Sequence, residues 1–80
     1  MRVDLALKYL CLVKSRSSVK SLCASNGVRI NDKPAKPSAS LHVGDRVAID
    51  YSSRTVTIEL VDIPGKQLSK TDAPSFYRVV

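Results

Sequence analysis

The chain has 80 residues, 44% of them hydrophobic and 25% charged, with a formal net charge of +6. That hydrophobic content excludes a disordered tail, and a chain this short buries only about 60% of its unfolded surface, which allows one domain with a small core. No segment approaches the roughly 20 apolar residues of a membrane span, and the positive excess points to a polyanionic partner.

The excess is segregated. Residues 1–36 carry Arg2, Lys8, Lys14, Arg16, Lys20, Arg29, Lys33 and Lys36 against only Asp4 and Asp32, whereas residues 37–80 carry five charges of each sign.

Val3, Leu7, Leu10 and Cys11 share one face at helical spacing, so the first element is a helix with Asp4 near its start. Asp4 and Lys8 stand in the favourable i,i+4 order for an ion pair. A second helix is expected over about residues 17–25, with Val19, Leu22 and Cys23 inward and Ser15 or Ser17 as its cap. Gly27 stands where a left-handed C-terminal cap belongs. The short link between the two predicts a tight helix–turn–helix pair.

Beyond Gly27 the period becomes two. Val28 and Ile30 point inward, Arg29 and Asn31 outward, and Asn31-Asp32 suits a turn. Pro34 and Pro37 restrict the next segment to a short edge strand or a loop. Val47, Ile49 and Tyr51, then Val56, Ile58 and Leu60, predict a hairpin around Ser52-Ser53. The run Phe76–Val80 is expected to dock back as a strand after a polar connection.

The chemistry of catalysis is poorly represented. His42 stands alone, and Ser17-x-x-Lys20 matches a serine–lysine nucleophile pattern without its partner motifs. The glycines at 27, 44 and 65 are too dispersed for a phosphate loop. Cys11 and Cys23 fit no metal or redox spacing and read as free thiols of a reducing compartment. The start MRVDLALKYLCLVK has the look of a secretion signal, but Asp4, Lys8 and Lys14 interrupt it and no cleavage site is present. The expectation is a cytoplasmic, non-enzymatic protein with no cofactor, no metal and no small-molecule substrate.

On the second helix Arg16 and Lys20 lie one turn apart and flank the buried stripe. Ser17 and the free N–H groups of the helix start add anion-binding capacity. With only Tyr9 available for stacking in the basic half, contact with the phosphates and shape of folded RNA fits better than reading of single-stranded bases.

The order of residues carries a resemblance. Arg2-Val3-Asp4-x-x-Leu7, Ser15-Arg16-x-x-Val19-Lys20-x-Leu22, Gly27-Val28-Arg29-Ile30-Asn31, Lys36-Pro37-Ser38 and Val43-Gly44-Asp45-x-Val47 succeed one another in sequence. This pattern over about residues 2–50 resembles the RNA-binding domain named after small-subunit ribosomal protein S four, the alpha-L motif. The resemblance implies an α+β fold, two packed N-terminal helices on a small, mostly antiparallel sheet. It places Arg2, Arg16 and Lys20 toward structured RNA, with Lys14, Arg29 and Asn31 as neighbours, and gives Asp4 a structural role. The candidate RNA-contacting set is Arg2, Lys8, Lys14, Arg16, Ser17, Lys20, Arg29, Asn31, Lys33 and Lys36.

Residues 1–62 are expected to form the RNA-binding domain, and 63–80 an extension docked on it. A motif beginning at residue 2 leaves no room for a catalytic domain, so the chain resembles the stand-alone bacterial members, of ribosome-associated quality-control and small heat-shock type. The short tail, and the lack of a Trp and of a long basic extension, resemble the former more closely. The implied partners are rRNA of the large ribosomal subunit and tRNA, bound by a monomer away from membranes. The alternatives are a protein-interaction module using the C-terminal strand and a regulatory binder of mRNA or DNA.

Overall fold

The computed structural model describes residues 1–80. Val3, Ala6, Leu7 and Leu10 close one face of helix α1 (Val3–Tyr9) and are fully buried. The helix is shorter than its apolar stripe, because Cys11 turns left-handed at φ 60° and leaves the helical path. Its first N–H groups are satisfied from outside: Val3 donates to Ala39 O at 2.8 Å and Asp4 to Pro37 O at 3.2 Å. The segment 36–41 is thereby pinned across the start of α1.

Helix α2 (Arg16–Ala24) begins at Ser15, whose hydroxyl accepts from Ser18 N–H at 3.2 Å. Its end departs from expectation. Asn26, not Gly27, takes the left-handed conformation, at φ 58°. Asn26 N–H reaches Cys23 O at 3.1 Å and Gly27 N–H reaches Leu22 O at 2.7 Å, the paired bonds of a Schellman end. Glycine is needed at position 27 for a different reason: a Cβ there would stand 3.0 Å from Leu22 O.

The rest of the chain builds five strands into one antiparallel sheet: β1 (Val28–Ile30), β2 (Lys33–Pro34), β3 (Arg46–Asp50), β4 (Thr55–Leu60) and β5 (Tyr77–Val79), in the order β2-β1-β3-β4-β5. Asn31 and Asp32, both at positive φ, form the two-residue turn between β1 and β2. Pro34 closes β2 on the sheet's edge, where its missing N–H costs no ladder bond. Tyr77 opposite Leu60 and Val79 opposite Ile58 bring the chain's end onto β4 as expected, but Phe76 ends a short 3-10 helix (Ala73–Phe76) instead of opening the strand.

Alternation sorts the sheet's faces. Val28, Val47, Ile49, Ile58 and Leu60 pack with Leu41 under the two helices, in one aliphatic core. Arg29, Arg46, Asp50, Glu59 and Arg78 occupy the opposite, open face. There Glu59 bridges Arg46 (3.7 Å) and Arg78 (2.7 Å) across three strands. No helix is long and apolar enough to cross a membrane.

Candidate nucleic-acid interface

Where the start of α1, the start of α2 and the segment 36–38 meet, they enclose a shallow groove of about 420 Å³ with no hydrophobic lining residue. Arg2, Arg16, Ser17, Lys20 and Lys36 line it, together with Asp4, Pro37 and Ser38. Half of the candidate residues therefore converge from three separate stretches of chain.

Asp4 organises the groove. Its side chain is only 5% exposed, yet it sits between two half-exposed arginines. Arg2 donates through Nε to Oδ1 at 3.2 Å and through Nη2 to Oδ2 at 3.1 Å. Arg16 donates to the same Oδ2 through Nη2 at 3.2 Å and Nε at 3.4 Å. Leu5 N–H adds a bond to Oδ1 at 2.7 Å. Burial alone raises the Asp4 carboxyl, but the bonds from Arg2, Arg16 and Leu5 outweigh it and hold the group below the ordinary carboxylate value. The expected Asp4–Lys8 pair does not form, because this carboxylate turns to the arginines instead.

One buried negative charge therefore fixes two guanidiniums on side chains that stay about half exposed. Lys20 and Lys36 carry no ion pair, so the groove keeps a net charge of about +3 with its arginines already ordered. A phosphate entering it meets forked donors that need little further immobilisation. Backbone N–H groups of Arg16 and Ser17 have no partner in the chain, and the hydroxyls of Ser15, Ser17 and Ser18 lie 3.0–3.2 Å apart beside them.

The other candidates lie elsewhere. Lys33 borders a hollow that shares Lys36 and Ser38 with the groove and so extends the basic surface along the β2 edge. Arg29 stands on the open face, clamped by Asp50 at 2.9 Å through both terminal nitrogens and bonded to Asn26 O. That contact, with Thr55 assisting, lowers the Asp50 carboxyl to about 2. Asn31 holds its own turn, donating to Asp45 and accepting from Arg46 N–H. Lys8 and Lys14 line a separate cleft on the other flank of α2. Sequence reasoning missed Asp4 as the clamp on both arginines and Lys70 in that second cleft. The structural role that the resemblance implies for Asp4 and the Arg2-x-Asp4 spacing were the signals for the first, and nothing local signalled the second.

His42 donates its backbone N–H to Asp45, and no three His, Cys, Asp or Glu side chains gather as metal ligands. Cys11 and Cys23 are unpaired and half-buried.

Known proteins are similar to this chain. The chain is 29% identical over 79 residues to an RQC P-site tRNA stabilizing factor of Halalkalibacterium halodurans, covering 99% of this chain and 89% of that protein. The factor of the same name from Bacillus subtilis is 26% identical over 80 residues, covering 100% and 92%. The trimeric structure of Vibrio cholerae Heat Shock Protein 15 superposes with a TM-score of 0.93 at 25% identity, covering all of this chain and 81% of that one. The S4 domain family matches residues 1–47, the stretch holding both helices and every residue of the groove, and the chain belongs to that RNA-binding family.

Proposed function

We propose that the protein is a non-enzymatic factor that binds structured rRNA and tRNA on the large ribosomal subunit, on obstructed complexes that carry peptidyl-tRNA. The observation that carries this reading is the groove, in which Arg2 and Arg16 are fixed on one buried Asp4 oxygen beside Lys20 and Lys36. Such a surface suits phosphate and shape rather than base edges, as expected for folded RNA. The names of the relatives, which concern the P-site tRNA and ribosome quality control, support the ribosomal setting. The factor works in the cytoplasm as a single copy and orders RNA elements without forming a bond.

The test compares wild type with Arg16→Ala. The variant keeps its circular-dichroism melt within a few degrees and loses co-sedimentation with large subunits carrying peptidyl-tRNA. Unchanged co-sedimentation removes the groove from the function. A second reading rests on β5, an edge strand with Val79 67% exposed, which offers a pairing surface to a protein. Removing residues 77–80 separates the two, since only the second reading expects partner binding to fall while groove-dependent RNA binding persists.

A further inference from the structure

The other flank of α2 borders a larger cleft of about 840 Å³, of a different character. Its floor is apolar, formed by Leu12, Val13, Leu22 and the ring of Tyr51. Its rim carries Lys8, Lys14 and Lys70, none of them in an ion pair. The one carboxylate at its edge, Asp50, is committed to Arg29 and to Thr55 at 2.7 Å. An anion entering the cleft therefore meets three unopposed ammonium groups over a hydrophobic surface.

The walls are built into the fold. Tyr51 donates its hydroxyl to Leu12 O at 2.7 Å, fixing the floor to the turn between the helices. The far wall is the strap at residues 67–70. Leu68 N–H donates to Tyr9 O at 3.1 Å, Cys11 Sγ to Leu68 O at 3.2 Å, and Gln67 Nε2 to Lys8 O at 3.2 Å. The C-terminal extension thus supplies one wall of the cleft.

A phosphate surface for a duplex needs no apolar floor, whereas an unstacked base does, because its faces lose their neighbours on leaving the helix. The volume lies in the range of sites that enclose small organic groups. Continuity decides the occupant. Lys14 stands two residues before Arg16, so the row of cations runs from the groove over the start of α2 into the cleft. We infer that the cleft receives one unstacked nucleotide of the RNA whose paired part lies in the groove. Its base lies against Leu12, Leu22 and Tyr51, and its phosphates face Lys14 and Lys70. This deepens the RNA-binding reading and rests on it.

Methyl and side-chain nuclear magnetic resonance spectra test it with two probes, a fully paired RNA hairpin and a mixed-sequence single-stranded tetranucleotide. The hairpin is expected to move the guanidinium signals of Arg2 and Arg16. The tetranucleotide is expected to move the methyls of Leu12, Val13 and Leu22 through the ring current of the base. A Lys14→Glu/Lys70→Glu double variant, with its amide spectrum otherwise preserved, should bind the tetranucleotide at least tenfold more weakly, while Arg16→Ala retains the methyl shifts. Methyl shifts that survive the double variant, or a tetranucleotide that moves only the groove signals, overturn the cleft assignment and leave the groove standing. A hairpin that moves nothing removes the RNA reading itself, and the cleft proposal with it. A peptide alternating Glu and Leu that displaces the tetranucleotide and binds more tightly assigns the cleft to a protein segment and overturns the proposal.

Discussion

Arg16, at the start of α2, reaches 3.2 Å to the carboxylate of Asp4, in the first turn of α1. The two helices are thereby joined at their basic ends by a contact that leaves the Arg16 side chain about half exposed. Asp4→Asn keeps the shape of the side chain and removes its charge. Stability is expected to fall by about 1.5–3 kcal/mol, the scale of hydrogen bonds to a charged group. RNA affinity should fall about tenfold despite the gain of one unit of net positive charge. Isothermal titration beside thermal melts checks this. Tighter binding of the variant would show that bulk charge, not ordered arginines, drives association.

On the proposed function, the salt dependence of binding counts the groove's phosphate contacts. Each contact contributes roughly −0.7 to −0.9 to the slope of log K against log salt. Lys20→Ala and Lys36→Ala are each expected to flatten that slope by about one contact, and Arg29→Ala to leave it unchanged, because Arg29 is held by Asp50 on the open face. Fluorescence anisotropy across a salt series distinguishes the three.

Acid should weaken the fold through identified carboxylates. Asp50 titrates near 2 in the folded chain, against an ordinary value of 3.8, because Arg29 and then Thr55 bond its charged form. A depressed folded value means that the stabilisation is complete above about pH 4 and is lost as pH falls toward 2. Asp4 acts in the same direction, its arginine bonds outweighing its burial. Denaturant unfolding between pH 5 and 2 should show a shallower loss for Asp50→Asn than for wild type.

The end of α2 gives opposite expectations for two neighbouring residues. Gly27→Ala places a methyl 3.0 Å from the Leu22 carbonyl and should cost about 1–3 kcal/mol, the scale of overpacking. Asn26→Gly relieves a left-handed non-glycine residue and should change stability by less than about 1 kcal/mol. Urea midpoints of the two variants give the comparison.

Tyr51→Phe isolates the bond that ties the β3–β4 hairpin to the turn between the helices. Loss of the 2.7 Å contact with Leu12 O should cost about 1 kcal/mol. Hydrogen exchange should quicken around residues 11–15 and remain unaltered in β1.

The helix pair and the hairpin are legible in the sequence because their signals are local: apolar spacing, a serine before a basic helix, proline on an edge. The convergence of Arg2, Arg16, Lys20 and Lys36 is legible only in part. Their charge stands out, but the groove depends on Pro37 and Ala39 accepting from the start of α1, a pairing that linear spacing does not carry. Spacing alone makes Asp4 a helix-start charge with Lys8 in reach. In the fold it is held by two arginines, one two residues before it and one twelve residues after it. Glycine is the commonest occupant of a left-handed cap, which points to Gly27, whereas close approach to Leu22 fixes that glycine and Asn26 takes the turn. Arg29 and Asn31 look free in the sequence because Asp50 and Asp45, which hold them, come from β3 and its approach.

The groove draws on residues 2–4, 16–20 and 36–38, so it exists only when all three are in place. An unfolded or half-folded chain offers the same cations without the clamp. RNA therefore acts as a ligand of the native state, and at a hundredfold excess over its dissociation constant it adds about 2.7 kcal/mol to the free energy of unfolding. For a domain this small, that is a large fraction of its total stability. On the proposed function, the ribosome is both the target of the protein and a scaffold that keeps it folded, and the unbound pool is the one exposed to proteolysis.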